Sequence, residues 1–406
     1  MKLFSRKPKT KVLVGMSGGV DSSVAALLLK KQGYDVYGAF MKNWSDTKNK
    51  ITGQCAWVEE REHAIKIATK LKIPIITLDF EDEYKELVID KMFEKYKKGI
   101  TPNPDIDCNQ KIKFPMFLAE AQKRGINLIA TGHYARIKKK RIKISKVNLK
   151  ENLSQKGRAG RVSAFRDVKN KDKFSYELHR AKDESKDQSY FLYRQNQNDL
   201  AHTLFPIGKL SKKQVRRIAK RNGFQNYDKK GTVGICFVGK VNLKEFLQQK
   251  IKPKKGKILN PEGEQIGEHD GIYYYTIGQR LGPRYGFEVE RDKDTKQMQK
   301  WYVAHKDAKK NIIVAAPKGH PLNFRQEIIV NELHLIDKDK KEFKKNLPRK
   351  VHSRIRQVGE LIPTTLTKKG TKIIAKLDKA ITGVSEGQAI VLYDKTKCLG
   401  GGVIRF

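Results

Sequence analysis

Through the first 135 residues, short apolar runs rich in β-branched side chains alternate with stretches of helical periodicity. Residues 11–15 (KVLVG) have the uninterrupted apolar character of a strand buried on both faces. After a glycine-serine turn, residues 22–31 (SSVAALLLKK) are helix-forming up to Gly33, and residues 35–41 (DVYGAFM) predict a second strand. Residues 59–71 predict a second helix, with Ala64, Ile67, Ala68 and Leu71 on one face. A third strand is expected over 73–80, a third helix over 81–98, and a further strand over 128–131 that ends at Gly132. Strands alternating with helices predict an α/β fold with a doubly wound parallel sheet, whose ligands sit at the carboxyl ends of the strands.

The pattern changes after about residue 136. Residues 137–173 hold about fourteen basic and three acidic residues with no sustained period, which predicts a surface insertion rather than a folded unit. Helical patterns return over 186–223. Beyond Gly256, short β-like runs at 271–277, 301–304, 311–316 and 388–393 are separated by Gly, Pro and Asp. The organisation expected is a first domain over 1–241 carrying the insertion, a small central domain over 242–315, and a C-terminal β-barrel over 316–406.

A chain of 406 residues is long enough for two or three domains. Lys and Arg number 86 against 44 Asp and Glu, a formal charge of +42, so polyanions such as nucleic acid are favoured partners. A lysine-rich genome would contribute to the same balance, so charge suggests RNA without proving it. No apolar run approaches the roughly 18 residues needed to cross a bilayer. The basic first ten residues lead straight into a strand with no secretory apolar region, which makes the cytoplasm the expected compartment. The four cysteines, Cys55, Cys108, Cys236 and Cys398, are too few and too dispersed for a disulfide scaffold. The nine histidines show no HExxH or paired spacing, so no zinc site is expected.

Candidate chemistry begins at Ser17-Gly18-Gly19-Val20-Asp21-Ser22-Ser23, between a strand and a helix. Glycines let the backbone approach a pyrophosphate, hydroxyls donate hydrogen bonds, and the helix N-terminus adds partial positive charge. Asp21 is an oxygen ligand suited to Mg²⁺. The loop lacks the Gly-Lys-Ser/Thr ending of a Walker A motif. It resembles the PP-loop of ATP pyrophosphatases, which split ATP to AMP and pyrophosphate while adenylating a substrate. That motif alone leaves GMP synthetases, argininosuccinate synthetases, lysidine synthetases and tRNA thiolases all open. Two cysteines narrow the field. Cys108 lies in TPNPDIDCN (101–109), expected at a turn just before a helix, where the helix N-terminus and nearby lysines would favour thiolate. Cys236 lies between glycines in GICFVG (234–239). Cys55 and Cys398 read as packing.

With these motifs stand FMKNW (40–44), ATGHYAR (130–136), KDQSYFL (186–192), LFPIG (204–208), YTIGQR (275–280), WYV (301–303) and CLGGG (398–402). Together they resemble the tRNA-specific 2-thiouridylases, which make 2-thiouridine at the wobble position of certain tRNAs, over nearly the whole chain. The resemblance implies that Gly15, Met16, Ser17, Gly18, Gly19, Val20, Asp21 and Ser22 cradle ATP, with Met41 and Gly132 lining the nucleotide site. It implies that Cys236 carries a persulfide, that Cys108 releases the sulfur and leaves a Cys108–Cys236 disulfide, and that Asp105 is an acid/base. Asn103, Pro104 and Asp105 would meet the target base. His133, Lys186, Asp187, Gln188, Arg354, Ile355 and Gln388 would touch tRNA. The implied cofactors are ATP and Mg²⁺, and the sulfur donor is a cysteine desulfurase or a persulfide relay protein. An iron–sulfur cluster on Cys108, Cys236 and a third ligand is a less favoured alternative.

The sequence departs from the family at Gly231-Thr232-Val233, where Asp-Ser-Thr is usual, at His63, where aspartate is common, and at Leu281-Gly282-Pro283-Arg284-Tyr285-Gly286. The rival readings are another PP-loop tRNA-modifying ligase, which needs no cysteine pair, and a non-catalytic RNA-binding relative.

Overall fold

The computed structural model describes residues 9–45, 55–141, 174–229, 242–282, 299–337 and 340–406. Strands β1 (Lys11–Gly15), β2 (Asp35–Lys42), β3 (Ile75–Asp79) and β4 (Ile129–Ala130) pair in parallel. Side chains alternate across the sheet. Leu13, Ala39, Met41 and Ile129 join one core, while Val12, Val14, Phe40 and Ala130 join the opposite one. Helices α1 (Val20–Lys31) and α2 (Ala56–Leu71) cover the second face through Val24, Leu27, Ala64, Ile67, Ala68 and Leu71. Phe93, Phe117 and Leu118, from helices Lys91–Lys97 and Pro115–Lys123, belong to the core on the first face. The sheet is therefore doubly wound. Because β1 lies between β2 and β4, the strand order reverses beside it, which opens a crevice at the carboxyl ends.

Strand β5 (Ala135–Arg141) pairs antiparallel with β6 (Phe174–Arg180), and β7 (Thr203–Leu204) joins the edge of the first sheet beside β4. Residues 137–141, expected within an unfolded insertion, are thus strand. Their lysines project into solvent while the backbone is satisfied by β6, so the ladder exists without an apolar signature. The rest of that insertion, 142–173, lies outside the described residues. Residues 81–98 are not one helix either, since a π-helical segment, Lys85–Asp90, separates Glu81–Tyr84 from Lys91–Lys97. Over 186–223 the helical pattern resolves into Ser189–Leu192, Gln197–Ala201 and Lys212–Arg221, the last two opened by reciprocal capping boxes at Asn196 and Ser211.

The central domain is a five-stranded sheet of β8 (Gly256–Leu259), β9 (Gln265–His269), β10 (Arg280–Leu281), β11 (Trp301–Asp307) and β12 (Ile312–Pro317). Residues 271–277, expected as strand, instead form a 3₁₀ turn at Ile272–Tyr274. Gly271 breaks the chain direction with φ 147°, and the Tyr273 and Tyr274 hydroxyls donate to the carbonyls of Lys252 and Ile251.

Six strands close the C-terminal barrel: β13 (Phe324–Leu335), β14 (Arg349–Arg354), β15 (Ile362–Lys369), β16 (Lys372–Thr382), β17 (Ala389–Asp394) and β18 (Lys397–Arg405). Their order is β13-β16-β15-β14-β17-β18, and β13–β18 pairing completes the ring. Ile328, Leu366, Ala375, Ile390 and Ile404 fill it. Pairing of β6 with β18 ties the β5–β6 ribbon to this barrel.

Candidate active site

The glycine-serine loop supports itself with its own hydroxyls. Ser22 and Ser23 donate from Oγ to the Gly19 carbonyl at 3.0 and 2.9 Å, and the Ser17 amide donates to Ser22 Oγ at 3.2 Å. Gly19 caps α1 without a side chain, so no capping group covers the first N–H groups of the helix. Gly18 has φ 74°, and a Cβ there would stand 2.3 Å from the Glu60 carbonyl oxygen, so only glycine fits. Asn226, buried, donates to the Gly18 carbonyl at 2.9 Å and to Ser23 Oγ at 3.1 Å. Val20 and Met16 are buried beneath the loop, and Met41 packs against Gly15, where an added Cβ would meet its Cε at 3.3 Å.

Gly132, after β4, lies against the start of α1. A Cβ there would come within 2.6 Å of the Ser22 nitrogen and 2.8 Å of the Asp21 carbonyl carbon. Both are backbone, so Gly132→Ala must push the loop outward. ATP-analogue affinity is expected to fall roughly 10- to 100-fold, by loss of one or two charge-assisted hydrogen bonds. Titration calorimetry checks this, and unchanged affinity would show that the contact does not shape the loop.

Asp21, in the first turn of α1, accepts hydrogen bonds from Lys212 Nζ at 2.7 Å on both oxygens and from the Tyr134 hydroxyl at 2.8 Å. Burial and the Asp21 charge push the Tyr134 phenol far above its ordinary range. No cluster of three or more His, Cys, Asp or Glu suited to a metal occurs among the described residues. A cation held mainly by nucleotide phosphates needs only one such carboxylate, and Asp21 fits that demand.

The second part of the site is built on residues 101–113. The Asn103 side chain caps helix Pro104–Cys108 by accepting from the Ile106 amide at 3.4 Å, with Pro104 in the first turn. Cys108 therefore sits at the carboxyl end of this helix, not ahead of one as the sequence suggested, because cap and proline start the helix four residues earlier. Helix N-terminal stabilisation of its thiolate is thereby removed. The chain continues into a π turn, Asn109–Lys113, and Cys108 is 0% exposed. Asp105 is partly buried in the first turn of the same helix. Asp107 pins that helix through Lys95 at 3.3 Å and Arg194 at 3.9 Å.

His133 joins the two parts. Its ring lies 5.8 Å from Phe114 and 6.0 Å from Phe205, and its Nδ1 is 2.7 Å from Thr131 Oγ1. Burial, aided by the nearby Lys113 charge, holds it well below the ordinary histidine range, so it is neutral at pH 7.

The barrel grips this region directly. Gln388 donates from Nε2 to the carbonyls of Thr101 and Pro102 at 3.1 and 2.8 Å, and accepts from Asn103 Nδ2 at 3.3 Å. Asp187 and Arg354 are buried and pair with each other at 2.8 Å, while Asp187 also accepts from the amides of Ala181 and Ser189. Ile355 is buried and its carbonyl accepts from the Tyr190 hydroxyl at 3.1 Å. Gln188 exchanges hydrogen bonds with the Tyr134 backbone, and Lys186 is exposed. Cys236 lies outside the described residues. Cys398, on β18, is buried in the core shared with the first domain, its thiol pushed up by burial, and Cys55 donates to the Ser45 carbonyl at 2.9 Å. Sequence reading missed Lys212 and Asn226. Tyr134 and Tyr190 stand inside motifs it did quote.

Lys306, on β11, donates to the Tyr275 carbonyl at 2.6 Å, close to where the central domain meets the first through Ala308 and Gly99. Burial lowers its pKa from 10.5 to about 8, only partly opposed by Glu386. The unfolded chain therefore binds the extra proton between about 8 and 10.5. The penalty is full below that window and is relieved as pH rises through it. Stability of the native chain relative to Lys306→Met should rise across this interval in denaturant titrations. Parallel curves would refute the assignment.

Sequence comparison agrees with this architecture. The family described as "tRNA methyl transferase HUP domain" matches residues 10–240, "tRNA methyl transferase PRC-barrel domain" residues 244–317, and "Aminomethyltransferase beta-barrel domain" residues 325–404. The chain is 38% identical to the tRNA-specific 2-thiouridylase MnmA of Pediococcus pentosaceus, covering 98% of this chain and 95% of that one. It is 40% identical to that of Bacillus licheniformis, covering 99% and 96%, and 39% identical to that of Methylobacillus flagellatus, covering 98% and 99%. Likeness of this extent, across all three domains, places the chain in the tRNA-specific 2-thiouridylase family.

Proposed function

We propose that this chain is an ATP-dependent tRNA-uridine 2-sulfurtransferase acting on the wobble base. The observation that carries the reading is the convergence of the glycine-serine loop and the Cys108 helix through the rings of His133, Phe114 and Phe205.

In this reading Gly15, Met16, Ser17, Gly18, Gly19, Val20, Asp21 and Ser22 hold the triphosphate, with Met41 and Gly132 beside the nucleotide. The uracil 2-oxygen attacks the α-phosphorus and pyrophosphate leaves, its charge met by the open N–H groups of α1. Asp21 would hold the Mg²⁺ carried with the nucleotide, which would neutralise charge on the phosphates. The outer sulfur of a Cys236 persulfide adds to C2 and AMP departs. The Cys108 thiolate then attacks the Cys236 sulfur, which frees the thiocarbonyl and forms a Cys108–Cys236 disulfide. A two-electron dithiol reductant restores the pair, and a cysteine desulfurase or persulfide relay protein reloads Cys236. Asp105 carries the proton that moves as the carbonyl becomes thiocarbonyl.

Asn103 and Pro104 would meet the base, with Lys186, His133, Gln188 and Gln388 around the tRNA and Asp187, Arg354 and Ile355 behind them. Enclosure of Cys108 means that the arriving base must open the 101–108 segment. The expected location is the cytoplasm. No helix of the described residues is long and apolar enough to cross a membrane.

The test is release of AMP and pyrophosphate from ATP with and without unmodified tRNA. Stimulation by tRNA is expected. Hydrolysis to ADP, or none, would exclude adenylation of the base.

A further inference from the structure

We propose that Lys212 is the cation that binds the β- and γ-phosphates of ATP, transferring from Asp21 to the nucleotide as it enters. The proposal rests on the ATP reading above and adds to it a residue that no motif of the sequence singled out.

The backbone around Lys212 is fixed from two sides. Ser211 caps the helix, with Ser211 Oγ accepting from the Gln214 amide and Gln214 Oε1 accepting from the Ser211 amide. The Lys212 amide donates to Asp183 Oδ2 at 2.8 Å. From this anchor the side chain reaches the first turn of α1, where Nζ lies 2.7 Å from both Asp21 oxygens and 5.9 Å from the centre of the Tyr134 ring. Its side chain is 17% exposed, so the ammonium is largely withdrawn from water yet remains accessible to an entering anion.

Charge decides what happens next. The loop itself offers only backbone N–H groups and hydroxyls, and Asp21 would repel an incoming triphosphate. The ammonium neutralises that carboxylate across the first turn of α1. A triphosphate carries more negative charge than one carboxylate and competes for the same donors. Transfer of Lys212 keeps it paired and leaves Asp21 with its Tyr134 hydrogen bond and free oxygen lone pairs. Lys229 pairs at 3.0 Å with Glu60, whose carbonyl lies behind Gly18, and serves as the comparison.

The experiment is equilibrium binding of α,β-methylene-ATP and of AMP to the full chain, for native protein, Lys212→Met, Lys212→Arg and Lys229→Met. Lys212→Met should lose roughly 10- to 100-fold in affinity for the triphosphate and little for AMP, which lacks the outer phosphates. Lys212→Arg should recover part of the loss, and Lys229→Met should lose less. Equal losses for both nucleotides would overturn the proposal and leave Lys212 a prop for the loop. Unchanged triphosphate affinity would overturn it too. If the native chain binds AMP but not the triphosphate, the ATP reading falls and the proposal with it.

Discussion

Cys108→Ser should reduce turnover of tRNA thiolation by about 10³-fold or more, the scale on which loss of an attacking nucleophile is felt. The side chain is 0% exposed, within a core that includes Ile106, Ile112, Phe114 and Phe117. Serine is close to isosteric, and burying its hydroxyl costs about 1–3 kcal/mol, which the chain should survive. ATP cleavage to AMP in the presence of tRNA should persist, because the loop and Gly132 are untouched. Mass spectrometry should find sulfur retained on Cys236 or linked to the tRNA. Thiolation at the native rate would remove Cys108 from the chemistry.

Arg354→Met should lower unfolding free energy by about 3–5 kcal/mol, the usual cost of stranding one partner of a buried ion pair. Asp187 is 1% exposed and Arg354 3%, so neither charge can turn to water. The guanidinium also lies 5.7 Å from the centre of the Tyr393 ring, whose hydroxyl is 3.1 Å from Ser189 Oγ. One substitution therefore loosens the contact between the 186–192 segment and the barrel as a whole. Arg354→Met combined with Asp187→Leu should cost less than the sum of the two single changes, since the carboxylate that Arg354 would strand is gone and Arg180, 3.7 Å from Asp187, keeps Glu184 at 3.2 Å. Urea titrations of the four proteins measure this directly. A single-variant loss below about 0.5 kcal/mol, typical of surface pairs, would show that the pair is solvated.

The first sheet was legible because its central strand β1 is buried on both faces and announces itself by apolar content, with the glycine-serine turn following within two residues. α2 was legible for a similar reason, its buried Ala64, Ile67, Ala68 and Leu71 repeating at helical spacing. β5 was not, since Lys138, Lys139, Lys140 and Arg141 hide a strand whose stability comes from backbone pairing with β6. The π segment Lys85–Asp90 left no trace because its neighbours keep helical periodicity. At the site, motifs contiguous in the chain could be read, and partnerships across it could not. Lys212 stands 191 residues from Asp21, and Gln388 stands 285 from Asn103. Placement of Cys108 depended on where a five-residue helix begins, a boundary that the Asn103 cap and Pro104 signal but local propensity does not.

These partnerships give the site a common feature. Asn103, Gln388, Asp187, Arg354 and Asp21 all spend hydrogen bonds on one another or on neighbouring protein groups.

Sulfur transfer to tRNA is read most directly by thiolation of unmodified tRNA with ATP, Mg²⁺ and a cysteine desulfurase, on an affinity gel that retards thiolated RNA. A retarded band that requires ATP and disappears with Cys236→Ser is expected. A band that persists in that variant would contradict the persulfide route, and no band from the native chain while ATP is cleaved to AMP would contradict sulfur delivery itself.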